Sequence, residues 1–295
     1  MFVVLGGSGY VGQAFQKQLT QRDLPFRVVA RSDVNYGDRD SLRAFLRQTK
    51  PEFVINAAGF TGKPNVDACE VQKTACLEGN AVLPGIIRQV CEDLDLPWGH
   101  VSSGCIYTGA KTDGAGFSES DPPNFSFRQD NCSFYSGCKA LGEEVLEGTD
   151  KCFVWRLRIP FDEFDSPRNY ISKMMRYDRL LNATNSLSHL EQFVEACVDC
   201  WTKRIAFGTY NLTNPGSVTT QEVVEMIARH GLSDKSFSFF ETEEEFMQVA
   251  ASTPRSNCIL DSSKAVAAGL SMAPVEEALD IAMKAWSAES PGPSV

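Results

Sequence analysis

Short apolar runs alternate along the first half of the chain with segments of helical periodicity. Four apolar runs have the length of a buried strand: FVVL (2–5), FRVVAR (26–31), FVINAAG (53–59) and WGHVSS (98–103). Between them, apolar residues repeat at helical spacing in Val11, Ala14, Phe15 and Leu19, near residues 41–48, and in Val82, Ile86, Ile87, Val90 and Leu94. This alternation of strands and helices predicts an α/β fold with a doubly wound parallel sheet.

A glycine-rich turn follows the first apolar run. Gly6, Gly9 and Gly12 stand three residues apart in GGSGYVG, where the first strand meets the first helix. Such a turn points backbone N–H groups at an anion, usually the pyrophosphate of a dinucleotide. Glycines recur at this spacing by chance, but the strand and helix around them make the motif specific. We therefore predict a dinucleotide site that includes Gly6, Gly9, Tyr10, Val11 and Gly12.

The end of the second strand indicates which dinucleotide binds. A chain that binds NAD usually has a carboxylate there for the 2′-hydroxyl of the ribose, whereas this chain has Arg31 and Ser32. A cation and a hydroxyl suit a 2′-phosphate, so we predict NADP(H) as the cofactor. Asp33 lies two residues on and leaves NAD as the alternative, with Arg31 as a solvated loop residue.

The composition limits the class of protein. The chain has 295 residues, of which 43% are hydrophobic, enough for one large core or a core with a smaller second lobe. Its net charge of −10 argues against a broad nucleic-acid surface, which needs a basic stripe. No run approaches the roughly 18 apolar residues of a membrane span, and the first residues lack the features of a signal peptide. We expect a cytoplasmic protein that binds neither nucleic acid nor membrane.

Ten cysteines are scattered along the chain. Cys197 and Cys200 form a close pair, but no second pair or histidine set completes a metal site. We expect reduced thiols that mostly pack in the core, and no bound metal.

The second half of the chain predicts a smaller lobe. Residues 1–160 with about 190–208 are predicted to form a dinucleotide-binding Rossmann domain, and about 161–189 with 209–290 a smaller α/β substrate lobe. Capping boxes at Thr219-x-x-Glu222 and Thr242-x-x-Glu245 predict two helix starts. One face of a final helix would carry Val275, Ala278, Leu279, Ala282 and Trp286. The tail, 287–295, is rich in proline, serine and glycine and is predicted to be flexible.

Two groups of polar residues indicate chemistry on a carbonyl group. Ser103 ends the fourth predicted strand, and Tyr135 and Lys139 stand four residues apart. On a helix this pair shares one face, so the ammonium group could lie beneath the phenol and lower its pKa. Such a tyrosine can exchange a proton with a carbonyl oxygen. The alternative for Tyr135 and Lys139 is an exposed pair on a surface helix.

With these motifs the chain resembles the extended short-chain dehydrogenase/reductases. The matching pieces are GGSGYVG, NAAG (56–59), Asn80, Ser103, and Tyr135 with Lys139. The resemblance implies that Tyr135 is the general acid, that Ser103 hydrogen-bonds the substrate carbonyl, and that Lys139 holds the nicotinamide ribose. It further implies that Asn80 anchors a water molecule and that Ala57, Ala58 and Gly59 contact the cofactor.

A closer resemblance, over nearly the full length, is to the nucleotide-rhamnose synthases, which are epimerase-reductases. It rests on NVDACE (65–70), SSGCIY (102–107), GFSESDPPNFSF (116–127), SFYSGCKA (133–140), RLRIP (156–160), SPRNYISKMMRY (166–177), YNLTNPG (210–216) and TPRSN (253–257). The resemblance implies a nucleotide-4-keto-6-deoxyhexose substrate, epimerised by Cys105 and Lys173 and then reduced by NADPH. Four residues in these strings are candidates for binding the substrate and its diphosphate, or else for ordinary surface salt bridges: Asn65, Arg168, Asn169 and Arg255.

The chemistry agrees with this assignment. A hydrogen next to a ketone can be removed if donors stabilise the enolate oxygen, and Ser103 and Tyr135 would supply two. Inversion then needs one proton-carrying group on each face of the sugar ring. A thiol and an amine can divide that work if their pKa values move toward neutrality. The alternatives are a packing role for Cys105 and a solvated position for Lys173.

Several other functions remain as alternatives or are disfavoured. A 4-ketoreductase without epimerase activity is one alternative, and a non-catalytic NADP-binding regulatory subunit is another. A 4,6-dehydratase would need an acidic pair where Gly104 and Cys105 stand. The three histidines fit no catalytic pattern and are expected in the core or at the surface: His100, His189 and His230. The oligomeric state is left open, with a homodimer as one alternative.

Overall fold

The computed structural model describes residues 1–63 and 65–287. Strands and helices alternate through its first half: β1 (Phe2–Leu5), α1 (Tyr10–Gln21), β2 (Phe26–Val29), α2 (Arg39–Thr49), β3 (Phe53–Asn56), α3 (Lys73–Leu77), α4 (Leu83–Asp93), β4 (Trp98–Ser103), α5 (Phe134–Glu144) and β5 (Cys152–Leu157). Shorter pieces complete this half, namely 3₁₀ turns at Val66–Glu70 and Gly104–Ile106 and a π-helical turn at Glu78–Val82.

The second half of the chain contains short strands and mostly shorter helices. In order they are β6 (Pro160–Phe161), α6 (Tyr170–Arg176), β7 (Arg179–Leu180), β8 (Thr184–Asn185), β9 (Ser188–His189), α7 (Leu190–Thr202), β10 (Gly208–Asn211), β11 (Val218–Thr219), α8 (Thr220–Arg229), β12 (Ser238–Phe239), α9 (Glu243–Val249), α10 (Ser263–Ala267) and α11 (Val275–Lys284).

The central sheet has six parallel strands in the order β10-β5-β4-β3-β1-β2. The chain runs from β1 outward to β2 and then returns to the other side of β1 with β3, so the direction of winding reverses between β1 and β3. Ligands of open parallel sheets bind in the crevice that such a reversal leaves at the carboxyl ends of the strands. The predicted doubly wound parallel sheet is confirmed.

Alternating side chains of the strands build a core on each face of the sheet. From β1, Phe2 and Val4 pack on one side with residues of α1 and α7, while Val3 and Leu5 pack on the other with residues of α2 and α4. Gly99 in β4 makes room for the indole of Trp155, since a Cβ atom at position 99 would lie 1.9 Å from that ring. The runs that form β1 and β3 are therefore buried on both faces, as in a parallel sheet, whereas the run of the edge strand β2 is only partly buried.

A third core lies in the second half of the chain. It joins residues of α6, α8 and α11, among them Ile171, Val223, Ile227, Ala278 and Leu279. The chain leaves the sheet after β5 to build part of this core and returns to add α7, which packs on α1, and β10, which pairs with β5. The residue boundaries of the two lobes stay a prediction.

The two predicted capping boxes have different outcomes. Thr219 and Glu222 form the box, because each side chain bonds the backbone N–H of the other residue. At the second site Thr242 Oγ1 accepts from the N–H of Glu245, but the Glu245 carboxylate accepts from the N–H of Glu241 and pairs with Arg179. The prediction of a second capping box is wrong, because the Glu245 carboxylate binds Arg179 and the N–H of Glu241 instead of the N–H of Thr242.

Removing the Thr219 cap should weaken the smaller lobe. We expect Thr219→Ala to lower the free energy of unfolding by about 1 kcal/mol, since the first turn of α8 loses a side-chain acceptor. Thr219→Ser keeps the acceptor and should stay within about 0.5 kcal/mol of the parent protein. Urea unfolding followed by circular dichroism measures both. Equal losses for the two variants would contradict a capping role.

All ten cysteines are free thiols, as expected, and nine of them are buried, with Cys132 partly exposed. Among the described residues, none of the helices has both the length and the apolar character to cross a membrane. The predicted flexible tail, 287–295, lies outside the described residues except for Ser287.

Candidate active site

A cavity of about 590 Å³ lies between the carboxyl ends of the central strands and the smaller lobe. Its walls come from the residues that follow β3, β4 and β5, from α5 and α6, and from a loop near residue 255. Six residues predicted from the sequence to be catalytic line it together: Asn80, Ser103, Cys105, Tyr135, Lys139 and Lys173.

Ser103 and Cys105 lie on one tight turn. The turn starts where β4 ends, and Ser103 Oγ accepts a hydrogen bond of 3.2 Å from the N–H of Cys105. Gly104 between them lies against Leu260, whose side chain would be 2.5 Å from a Cβ atom at this position. Cys105 is 7% exposed, and Ser103 and Cys105 are both among the residues that line the cavity. The turn thus brings a serine and a cysteine to the same space.

Tyr135 and Lys139 project from α5, as the spacing predicted. Lys139 is buried, and its Nζ donates to the carbonyl oxygen of Val101 at 3.3 Å. Burial lowers the pKa of the Lys139 ammonium and raises the pKa of the Tyr135 phenol well above its ordinary value. The expected lowering of the phenol pKa by Lys139 is wrong for the free protein, because burial outweighs it. Tyr135 therefore holds its proton at neutral pH, as a proton donor must.

Asn80 lies in the π-helical turn and has its amide engaged by the backbone. Its Nδ2 donates to the carbonyl oxygen of Phe60 at 2.7 Å, and its Oδ1 accepts from the N–H of Phe60 at 3.2 Å. A Cβ atom at Gly59 would lie 3.1 Å from Asn80 Oδ1 and 3.6 Å from Lys139 Nζ. The three residues are thus close neighbours, and the role of Asn80 toward a water molecule stays a prediction.

Cys105 and Lys173 have pKa values that move in opposite directions. Burial raises the pKa of the Cys105 thiol, against the opposing influence of Ser103, Ser136, Arg158 and Lys139. Burial and then the charge of Arg168 lower the pKa of the Lys173 amine. The described residues include no carboxylate paired with Lys173. At neutral pH the thiol therefore keeps its proton, whereas the amine is closer to losing one.

A second cavity, of about 530 Å³, is lined by six of the predicted dinucleotide residues: Gly6, Gly9, Arg31, Ala57, Ala58 and Gly59. Gly9, Ala57, Ala58 and Gly59 line both cavities, so the two spaces meet at these residues. Gly6 has φ +78°, and a Cβ atom there would lie 2.4 Å from the backbone nitrogen of Ala58. At such a position only glycine leaves the turn and the cleft open.

Gly12 has a similar reason to be glycine, since a Cβ atom there would lie 2.2 Å from the carbonyl oxygen of Gly6. Tyr10 and Val11 line the first cavity rather than the second. The Tyr10 hydroxyl donates to Asp162 Oδ2 at 2.7 Å and so ties the start of α1 to the second half of the chain. Burial and Asp162 raise the pKa of Tyr10.

Arg31 lines the second cavity, with its guanidinium 5.3 Å from the centre of the Tyr36 ring. Ser32 is not among the residues lining this cavity and donates instead to the carboxylate of Asp33 at 3.2 Å. Of the predicted Arg31 and Ser32 pair, the structure therefore brings only Arg31 to the cleft.

The four predicted substrate residues divide into two pairs. Arg168 and Arg255 line the first cavity; Arg168 donates to the carbonyl oxygen of Gly62 at 3.2 Å, and Arg255 forms a two-bond ion pair with Asp67. Asn65 and Asn169 instead cap a 3₁₀ turn and α6 and line neither cavity.

The Asn169 amide is hydrogen-bonded within the protein. It is fully buried, and its Nδ2 donates to Asp162 and to the carbonyl oxygen of Phe164 at 2.8 Å, while its Oδ1 accepts from Ile171. Asn169 therefore holds the start of α6, and a substrate contact for it stays a prediction.

The histidines lie outside both cavities, in agreement with the prediction. His100 is buried against Asn56 at 2.9 Å, and burial lowers its pKa well below the ordinary value. His189 caps α7, and His230 bonds Asp280 at 3.0 Å.

Arg158 is a cavity residue that the sequence prediction missed. It directly follows β5, is 5% exposed and lines the same space as Cys105. The signal that could have found it is a charged residue at the carboxyl end of a central parallel strand, the position where such sheets bind ligands. Arg156 two residues earlier has the same signal but a different environment, so sequence alone does not separate them.

Comparison with known proteins agrees with this fold. The family described as RmlD substrate binding domain matches residues 1–287. A bifunctional dTDP-4-dehydrorhamnose 3,5-epimerase/dTDP-4-dehydrorhamnose reductase of Arabidopsis thaliana is 33% identical over 89% of this chain and 85% of its own length.

A second Arabidopsis thaliana relative is longer. It is a trifunctional UDP-glucose 4,6-dehydratase/UDP-4-keto-6-deoxy-D-glucose 3,5-epimerase/UDP-4-keto-L-rhamnose-reductase, 35% identical over 89% of this chain. The alignment spans 39% of that relative, so this chain corresponds to about two fifths of its length.

Two solved structures have the same fold. The L780 UDP-rhamnose synthase of Acanthamoeba polyphaga mimivirus has a TM-score of 0.87 at 22% identity and covers 96% of this chain and 98% of its own. The dTDP-4-dehydrorhamnose reductase of Bacillus anthracis, in complex with NADP, has a TM-score of 0.77 at 15% identity, over 95% and 96% of the two chains. The resemblance stated from sequence motifs is confirmed, and the chain belongs to the RmlD substrate binding domain family.

Proposed function

We propose that this protein uses NADPH to reduce the C4 ketone of a nucleotide-4-keto-6-deoxyglucose, after epimerising C3 and C5 at the same site, to give the nucleotide-L-rhamnose. The observation that carries the proposal is one cavity lined by Ser103, Tyr135, Lys139, Cys105 and Lys173 and joined to the glycine-lined cleft. The activities named for the Arabidopsis relatives support it.

The cleft fits NADP(H). Gly6 and Gly12 leave the space that a Cβ atom would fill, α1 begins at the turn with its N–H groups free for phosphate, and Arg31 supplies a cation at the far end. The NADP complex of the Bacillus anthracis structure supports the same choice. When bound, this cofactor supplies the hydride for the reduction.

In the reduction, Tyr135 gives its proton to the C4 oxygen as that oxygen gains negative charge. Ser103 donates a hydrogen bond to the same oxygen, so two groups stabilise the developing charge. Lys139 lies on the same face of α5 as Tyr135 and holds the ribose next to it. The raised pKa of Tyr135 suits this role, because the phenol stays protonated until the oxygen takes the proton.

In the epimerisation, Lys173 and Cys105 act on opposite faces of the sugar ring. The neutral Lys173 amine takes the proton next to the ketone, and the electrons of the broken C–H bond form an enolate held by Ser103 and Tyr135. The Cys105 thiol then protonates the same carbon from the other face, leaving a thiolate and an ammonium group. The lowered pKa of Lys173 and the raised pKa of Cys105 favour this direction.

Hydrogen exchange tests the epimerase half without the cofactor. In deuterated water and without NADPH, we expect the enzyme to introduce deuterium at C3 and C5 of the keto sugar, detected by NMR and mass spectrometry. Cys105→Ser should slow formation of the inverted sugar by about 100-fold or more, because a hydroxyl is a far weaker acid than a thiol at neutral pH. Cys132→Ser, which changes a partly exposed thiol outside the cavity, is the matched control.

Three results would contradict parts of the proposal. Full reduction without any exchange would leave a 4-ketoreductase in which Cys105 is incidental. Inversion at the parent rate in Cys105→Ser would remove that residue from the mechanism. No turnover of any keto-deoxy sugar nucleotide, with NADPH bound, would favour a non-catalytic regulatory subunit.

Arg31 should determine the preference for NADPH over NADH. We expect Arg31→Ala to raise the Kd for NADPH about tenfold or more, the effect of losing one charge-assisted hydrogen bond, and to leave the Kd for NADH nearly unchanged. Arg27→Ala is the control, because Arg27 lies on β2 over the Phe45 ring and not in the cleft. Fluorescence titration with both cofactors measures the ratio, and equal losses for NADPH and NADH would contradict the assignment.

A further inference from the structure

Arg158 carries a buried charge in the wall of the first cavity. Its backbone N–H donates to Ser188 Oγ at 3.1 Å, and its Nη2 donates to Asn185 Oδ1 at 2.5 Å and to the carbonyl oxygen of Ser256. These partners come from β9, β8 and the loop near residue 256. The side chain is therefore held in a fixed position between the sheet and the smaller lobe.

No carboxylate of the described residues pairs with this guanidinium. Arg156, two residues earlier and equally buried, has its charge balanced by Glu143 at 2.7 Å. In Arg158 the Nε atom is buried and has no hydrogen-bond partner in the described structure. Burying a charge without a counterion is costly, so a buried arginine of this kind indicates that a negative charge arises beside it.

The neighbour that can acquire this charge is Cys105. A Cβ atom at Gly104 would lie 3.4 Å from Arg158 Cδ, so the arginine side chain packs against the turn that carries the thiol. Both side chains line the same cavity. The other groups that influence the thiol are the hydroxyls of Ser103 and Ser136 and the cation of Lys139, while Tyr135 and Cys132 respond to charge on its sulfur.

We propose that Arg158 is a positioning residue for Cys105, whose guanidinium stabilises the thiolate left after the thiol gives its proton to the sugar carbon. In that step the S–H bond breaks, the enolate electrons form the new C–H bond, and the negative charge passes from the enolate to the sulfur. Before the second carbon is inverted, the Lys173 ammonium gives its proton to water and the Cys105 thiolate takes one from water, so that both groups return to their starting state. This role in catalysis rests on the proposed epimerase function.

The ionisation of Cys105 tests the proposal without any sugar substrate. The rate of iodoacetamide modification is measured against pH, with the Cys105 peptide quantified by mass spectrometry. Arg158→Gln keeps a donor for Asn185 but loses the charge, so we expect the inflection of the profile to move up by about one pH unit and the rate at pH 7 to fall about tenfold. Arg158→Lys keeps a charge and should restore most of the parent profile.

Arg179→Met is the matched control. Arg179 lines the same cavity, but Glu245 already balances its charge at 2.7 Å, so its loss should leave the Cys105 profile unchanged. If Arg158→Gln does not fold, Arg158→Met gives the same comparison without a buried amide. Thermal unfolding and NADPH binding identify folded variants.

The proposal would be overturned if a folded Arg158 variant without a charge had the same inflection pH for Cys105 modification as the parent protein. Deuterium exchange by the parent enzyme separates this failure from failure of the proposed function. Exchange together with an unmoved profile overturns only the role of Arg158. A shifted profile without exchange would support the electrostatic coupling of the two residues while overturning its use in epimerisation.

Discussion

Replacing Tyr135 with phenylalanine is expected to lower kcat for ketone reduction by about two to four orders of magnitude, the usual contribution of a positioned general acid. In the proposed mechanism the phenol gives its proton to the C4 oxygen, and phenylalanine keeps the ring but not that proton. NADPH oxidation followed at 340 nm with the keto sugar measures the effect, and fluorescence titration checks that NADPH still binds.

Tyr210→Phe is the control for this loss. Its hydroxyl donates to the carbonyl oxygen of Ala206 at 2.8 Å and lies outside the cavity, so its removal should affect stability alone, by about 1 kcal/mol. A Tyr135→Phe enzyme with more than a tenth of the parent kcat would mean that another group gives the proton. Deuterium exchange should also slow in Tyr135→Phe, because the same phenol stabilises the enolate.

The ion pair behind the site should have the largest effect on stability. Arg156 and Glu143 join β5 to α5 through three hydrogen bonds of 2.7–3.1 Å, and Glu143 also accepts from Ser102 of β4 at 2.5 Å. Arg156→Leu leaves the carboxylate buried without its cation. We expect the free energy of unfolding to fall by about 3–5 kcal/mol.

The next glutamate along α5 supplies the control. Glu144 also binds an arginine through two bonds, but Arg128 is 75% exposed, so Arg128→Leu should cost about 1 kcal/mol or less. Urea unfolding measures both variants. Similar losses of unfolding free energy for the buried and the exposed pair would contradict a dominant effect of burial. Adding Glu143→Gln to Arg156→Leu should recover part of the lost free energy.

Four of the six strands of the sheet were predictable from sequence, because their signals are local. The apolar runs have the length of strands, and the positions of Gly6 and Gly12 reflect backbone contacts within a single turn. The Thr219 box formed for the same reason, since both partners belong to one helix start. Thr242 and Glu245 have the same local pattern, but Arg179 approaches from β7 and binds the glutamate. No local pattern contains that contact.

Sequence alone predicted those site residues whose motif has a single known use. Ser103, Tyr135 and Lys139 lie together in the cavity as their spacing suggested. Asn169 stands in an equally specific string, yet its amide caps a helix, because an asparagine before a helix serves the fold as well as a ligand. Arg156 and Arg158 differ only in whether a carboxylate from another element reaches them, which only the folded structure reveals.

The order of the sheet has a consequence for biosynthesis. β5 pairs on one side with β4, which is synthesised earlier, and on the other with β10, which follows about fifty residues after β5. At typical rates of translation, β10 is synthesised roughly 3–10 s after β5. During this interval the nascent chain exposes an apolar strand with unpaired backbone groups, the kind of edge that invites aggregation. A chain truncated before residue 211 should therefore depend on chaperones far more than the full chain does.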